Sequence, residues 1–184
     1  MLKNQLPSLN KLQFNAQKTN LKEAKKLVCI DIQESIPFLV WLTENPQSPI
    51  ALPGKISLDN HDCIHVILGL GVSLADEALI LGLTMGNDTN TKEWQVKLFK
   101  FISSYLYPKK FRFRPEDFYL FDLGLKLGRQ LPVKNLNKID FTLYEKVTIA
   151  ELRNWFGIDN ILPLLNLDST ETMPETPLKQ LLLL

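Results

Sequence analysis

Apolar residues recur at helical spacing along most of the chain, and Pro, Gly and capping residues cut that pattern into segments. Residues 21–44, LKEAKKLVCIDIQESIPFLVWLTE, set Leu27, Ile30, Glu34 and Phe38 on similar bearings and predict helix, which Pro37 kinks or divides. NPQSPIALPG (45–54) is a loop carrying three prolines. Asp59 or Asn60 can then cap a helix beginning near His61, and Gly69 and Gly71 interrupt it. Ser73 restarts the pattern, because Ser-Leu-Ala-Asp fits a capping box in which Asp76 reaches back; this helix runs to about Met85 and stops at Gly-Asn-Asp. TKEWQVKLFKFISSYLY (91–107) puts Trp94, Leu98, Ile102 and Tyr105 on one face, and Pro108 ends it. RPEDFYLFDLGLKLGRQLP (114–132) opens with Pro at the first helical position and acids in the first turn. In VTIAELRNWFGI (147–158) Thr148 and Glu151 fit a capping box, Leu152 and Phe156 share a face, and Gly157 ends the helix. Strand signals are confined to 110–114 and 138–147.

These segments predict an all-α, single-domain helical bundle. Residues 1–20 form a flexible or partly ordered N-terminal segment, 21–163 the helical domain, and 164–184, with Pro174 and Pro177, a C-terminal arm. A chain of 184 residues with 45% hydrophobic content is long enough for one substantial core. Lys plus Arg (21) nearly balance Asp plus Glu (20), which excludes a strongly electrostatic grip on nucleic acid. Cys29 and Cys63 are too few for a disulfide framework and read as buried free thiols in a reducing compartment. No apolar run is long enough to span a membrane, and no secretory signal peptide is legible. The expected location is therefore the cytoplasm.

Chemistry concentrates at HDCIHVILGLGVSLADE (61–77), which holds both histidines. On a helix His61 and His65 lie about 40° apart around the axis, one turn displaced, so their imidazoles can converge on one ion. Asp62 sits about 60° from His65, near enough for its carboxylate to bend toward the same point. The glycine turn folds the chain back, and Glu77, one turn into the returning helix, can face the pair. Two imidazoles and up to two carboxylates suit zinc and tolerate iron, manganese or magnesium, and fewer than four protein ligands leave a position for water or substrate. Alternatives are that Asp62 orients a histidine instead of binding metal, or that the histidines are core residues satisfied by hydrogen bonds.

The spacing HDCIH, eleven residues, Glu77 resembles the HDxxH-x11-E signature of the coenzyme Q (ubiquinone) biosynthesis protein family of the Coq-four type. Leu52-Pro53 precedes the motif at a similar distance, and IAELRNWFGI (149–158) is similar to a segment near that family's C-terminus. The resemblance covers roughly residues 35–160. It implies an all-helical fold with His61, Asp62, His65 and Glu77 as metal ligands, and a role in quinone-ring synthesis. That role is oxidative decarboxylation of a prenylated aromatic, or organisation of a biosynthetic complex or homo-oligomer. It also implies a peripheral place on a membrane surface, on the inner-membrane face or, in a eukaryote, the mitochondrial matrix side. Asp62 and Glu77 would be the candidates for moving protons. The chain leaves the family pattern at Asp76, where Gly usually precedes the motif Glu. A non-enzymatic lipid-binding scaffold with a structural metal is the second reading, and a helical interaction module without metal the third.

Two further features bear on a lipid ligand. LILGLTMG (79–86) and LFDLGLKLG (120–128) alternate large apolar residues with Gly, which permits close helix packing or a slot for a prenyl tail. YPKKFRFRPEDF (107–118) interleaves four cations with aromatics, so it reads as a solvated loop or, through Arg112 and Arg114, as a head-group or membrane contact. Arg153 reads as a structural ion-pair residue.

Overall fold

Short polar side chains that accept the first free N–H groups set most helix starts in this chain. The computed structural model describes residues 8–28 and 52–165. Its α-helices are α1 (Leu21–Lys25), α2 (Leu58–Leu68), α3 (Leu74–Asn87), α4 (Glu93–Tyr105), α5 (Pro115–Gln130), α6 (Ile149–Phe156) and α7 (Leu162–Leu165). Asn20, Ser73 and Thr148 close capping boxes with Glu23, Asp76 and Glu151. Among the described residues there is no strand, only isolated bridges between Lys11 and Leu70 and between Asn20 and Thr148. The fold is all-α and forms one domain.

Local chemistry corrects several expectations. Ser57, not Asp59 or Asn60, caps α2: its hydroxyl accepts from Asn60 N–H at 3.3 Å, so the helix begins at Leu58 and carries Asp59 in its first turn. The sparse strand signals at 110–114 and 138–147 form no strand. Lys109–Phe111, Leu136–Lys138 and Phe141–Tyr144 are 3-10 turns instead, the last held by Asp140 accepting from Thr142 N–H. Short turns with their own hydrogen bonds win where no neighbouring strand edge is available to pair. The helix expected over 21–44 is seen as α1 and a turn to Val28; its remainder, including Cys29 and Pro37, lies outside the described residues, as does the arm beyond Leu165. In α4 the buried residues are Val96, Phe99 and Ser103, and Phe99 stacks on Phe121 of α5. Trp94, Leu98 and Tyr105 point away from that core.

The centre of the domain is the pairing of α3 with α5. An added Cβ at Gly82 would lie 2.0 Å from the Phe121 carbonyl oxygen, and one at Gly86 would lie 2.0 Å from that of Leu125. Reciprocally, Cβ atoms at Gly124 and Gly128 would lie 2.1 Å from the carbonyl oxygens of Leu79 and Leu83. Partners advance together along both helices, so α3 and α5 run parallel with their backbones in contact. The glycines of both Gly/Leu stretches are therefore occupied by helix packing, and no slot remains at them.

A buried polar hub closes the far end of α3. Asn87 donates to the Gly128 and Val133 carbonyls and accepts from Leu136 N–H. Asp88 accepts from the N–H groups of Gly54 and Asn90, from Asn137 Nδ2 and from Lys138 Nζ. Burial pushes the Asp88 carboxyl up, but these donors outweigh it and hold it below the ordinary 3.8. A carboxyl lowered by folding contributes stability above its unfolded value and loses it as pH falls through the folded one. Asp88→Asn is therefore expected to cost about 2 kcal/mol at neutral pH by urea denaturation. It should also flatten the loss of stability below pH 3.8; an unchanged acid slope would contradict this.

Candidate metal centre

His61 and His65 stand one turn apart on α2, with ring centroids 4.6 Å apart in an edge-to-face arrangement. Two glycines make the return possible. Gly69 ends α2 in the left-handed conformation at φ 74°, its N–H bonded to the His65 and Val66 carbonyls. The Gly71 carbonyl then turns inward, 2.6 Å from His65 Nδ1. With Nδ1–H donating there, His65 presents Nε2 to the site. Ser73 restarts the chain as α3, and Glu77 falls in its first turn.

Glu77 spans the two imidazoles. Its Oε2 lies 3.4 Å from His61 Nε2 and its Oε1 lies 3.2 Å from His65 Nε2. His65 is buried, His61 nearly so, and the Glu77 side chain keeps 28% exposure, so the carboxylate is the solvent-facing side of the group. Burial lowers the His61 imidazole to about 4, with Glu77 opposing and His65 adding to the effect. For His65 burial also pulls downward, but the Glu77 hydrogen bond and charge and the Gly71 carbonyl raise it overall. Burial would raise Glu77, yet the two histidines hold it below its ordinary value.

These three side chains offer one ligand atom each within 4.8 Å of one another, the group among the described residues that can hold a metal ion. Two observations test the fit. Tetrahedral zinc with bonds of about 2.0–2.1 Å separates its donors by about 3.3 Å. Glu77 reaches the two imidazoles through different oxygens at 3.4 and 3.2 Å, and the three ligand atoms lie within 4.8 Å, a span that a small closure around an ion would bring to that spacing. In addition, His61 Nε2 is buried without a hydrogen-bond partner, a state that a bound cation would relieve. The donor set fits a divalent metal with a position left open.

Asp62 stands outside this group. One residue along α2 from His61, it sits half-buried in the field of both His65 and Lys25 of α1; burial first, with Asp59 and Glu77, keeps its carboxyl raised. Cys63 is buried and free, its thiol pushed up to about 12 by burial, which does not favour a thiolate ligand.

Asp76, immediately before Glu77, is fully buried. It accepts from Ser73 N–H and Oγ–H, and also from Asn10 N–H at 3.0 Å. Asn10 in turn accepts from Gly71 N–H, so Asp76 straps the N-terminal segment over the turn that orients His65. Local spacing gives the cap but carries no signal for the strap. Arg153 donates Nε–H to the Ile67 carbonyl at 2.6 Å and closes the last turn of α2, a helix cap more than an ion pair. Arg112 is engaged with the Tyr105 and Tyr107 carbonyls, and Arg114 with Glu116 and Asp117.

Fold and donors together define an all-α protein with a partly buried His-His-Glu group that could hold a divalent metal. Compared with protein-family models, curated proteins and solved structures, the chain matches none.

Proposed function

We propose that the protein is a divalent-metal protein of the quinone-biosynthesis type, with zinc the first candidate ion, acting on a prenylated aromatic at a membrane surface. The observation that carries the metal assignment is the unpartnered buried Nε2 of His61 beside Glu77 and His65. When bound, the metal supplies a Lewis-acid position for an oxygen ligand. The residues of the chain set up that position: His65 is oriented through Gly71, His61 is held neutral by burial, and Glu77 supplies the negative charge. Asp62, adjacent to the donors and outside their group, is the proton-handling candidate. The substrate class comes from the HDxxH-x11-E resemblance. In the reaction it implies, the bond between ring carbon and carboxylate breaks and carbon dioxide leaves; water supplies the hydroxyl oxygen, and dioxygen takes up the two electrons and two protons and leaves as hydrogen peroxide.

A second reading is a lipid-binding or complex-organising scaffold with a structural metal; the filled glycine seam between α3 and α5 removes one candidate slot for a tail and so favours the complex-organising form. Metal analysis of untagged protein should find one ion per chain, and none in His61→Ala or His65→Ala. Turnover of a prenylated hydroxybenzoate under dioxygen then separates the readings. Product formation supports the enzyme, metal without product the scaffold, and absence of metal from the parent protein ends both.

A further inference from the structure

The helix α4 is apolar on the side that faces away from the protein. Its core side carries Val96, Phe99 and Ser103, all buried. The opposite pole carries Trp94, Leu98, Phe101 and Tyr105, which share an arc of about 60°. Trp94 is 59% exposed, Phe101 55% and Tyr105 67%, and Leu106 extends the patch at the helix end. Five of the ten large apolar side chains exposed among the described residues thus gather on one helix and its cap, so they form a patch and not a scatter.

Charge identifies what covers it. Residues 94–114 contain six cations and no acid, whereas the whole chain has a net charge of +1, leaving −5 for the remainder. Lys100 pairs with Asp122, and Arg114 with Glu116 and Asp117. Lys97, Lys109 and Arg112 still give this end of the molecule positive charge; the two lysines are exposed, and Arg112 bonds to neutral carbonyls. A second copy placed face to face would oppose like charges. An anionic surface would not. No described helix is long and apolar enough to cross a membrane, so an amphipathic helix of this kind lies in the plane of the interface.

We infer that α4 and the Lys109–Phe111 turn dock the protein on the surface of an anionic phospholipid bilayer. Trp94, Leu98, Phe101 and Tyr105 enter the head-group boundary, and the lysines contact lipid phosphates. This names the element and lipid class for the membrane part of the proposed function and rests on that part alone, since metal content is read separately on the same protein.

The test is flotation of the full chain with vesicles of phosphatidylcholine, alone or mixed with phosphatidylglycerol. Binding is expected to the mixed vesicles, to weaken with salt, and to shift to the blue a tryptophan emission component that Trp94→Phe removes. The outward-facing pair Trp94→Ser/Phe101→Ser, checked for native circular dichroism, should bind at least about tenfold more weakly. Lys97→Ala and Lys109→Ala should each cost about fivefold. Equal binding to neutral vesicles, or binding unchanged in the serine pair and both lysine variants, would overturn the inference. So would a dimer in sedimentation that the serine pair dissolves while no vesicles are bound.

Discussion

Gly82→Ala is expected to destabilise the protein by about 3 kcal/mol, and Gly124→Ala by a similar amount. The new methyl group would sit 2.0 Å from the Phe121 carbonyl oxygen in the first case and 2.1 Å from that of Leu79 in the second. Both obstacles are main-chain atoms inside hydrogen-bonded helices, so no rotamer change relieves them and the helix axes must separate. Alanine's intrinsic advantage in a helix, about 1 kcal/mol, opposes this and is too small to reverse it. For a chain of this length the melting temperature should fall by about 10 °C. The double variant should lose less than the sum, because one displacement relieves both clashes. The seam also supports the metal centre: Glu77 lies on α3 about 7.5 Å along the axis from Gly82, so separating α3 from α5 shifts Glu77 against α2. Thermal and urea denaturation check the stability, and metal content the coupling. Alanine variants as stable as the parent would show that the helices do not touch through their backbones.

What could be read from the sequence follows the range of the interactions involved. Capping boxes at Ser73 and Thr148 are local and were legible, as was the His61–His65 pair one helical turn apart. Glu77 was legible because Ser73 fixes where α3 starts. Choosing the cap of α2 was harder: Ser57, Asp59 and Asn60 all have capping side chains, and the choice depends on burying Cys63, Ile64, Val66 and Ile67 together. α4 shows the same limit. Apolar residues occur on both its faces, and packing against Tyr107, Phe113 and Phe121 determines that Phe99 is inside and Trp94 outside. The four-residue spacing of Gly82 with Gly86 and of Gly124 with Gly128 was visible, but their mutual contact is a tertiary fact. The bond from Asn10 to Asp76 spans 66 positions and left no local trace. Asp62 shows the limit of a motif: spacing admits it as a ligand, whereas side-chain geometry gathers His61, His65 and Glu77 without it.

Zinc at about a hundredfold excess over its dissociation constant is expected to stabilise the protein by about 2.7 kcal/mol, a rise of about 5–10 °C in melting temperature. The effect follows from linkage, because the three donors converge only in the folded chain. Binding also relieves a cost of the metal-free fold, the buried and unpartnered Nε2 of His61. His65→Ala should abolish the shift, but this side chain is buried and bonded to Gly71, so its loss also weakens the fold. Glu77→Gln is the cleaner variant: it keeps the shape of a partly exposed side chain and removes its charge. Differential scanning calorimetry with zinc and with chelator should show the shift in the parent and its near disappearance in Glu77→Gln. Because the lowered Glu77 carboxyl itself contributes stability at neutral pH, each shift is read against that protein's own metal-free melting temperature. Asp62→Asn then discriminates its two possible roles. A residue that only orients or serves the site should cost about 10–100-fold in zinc affinity, leaving a reduced shift that more zinc restores. If no zinc concentration restores it, Asp62 belongs among the ligands, and the metal draws its carboxylate into the group on binding.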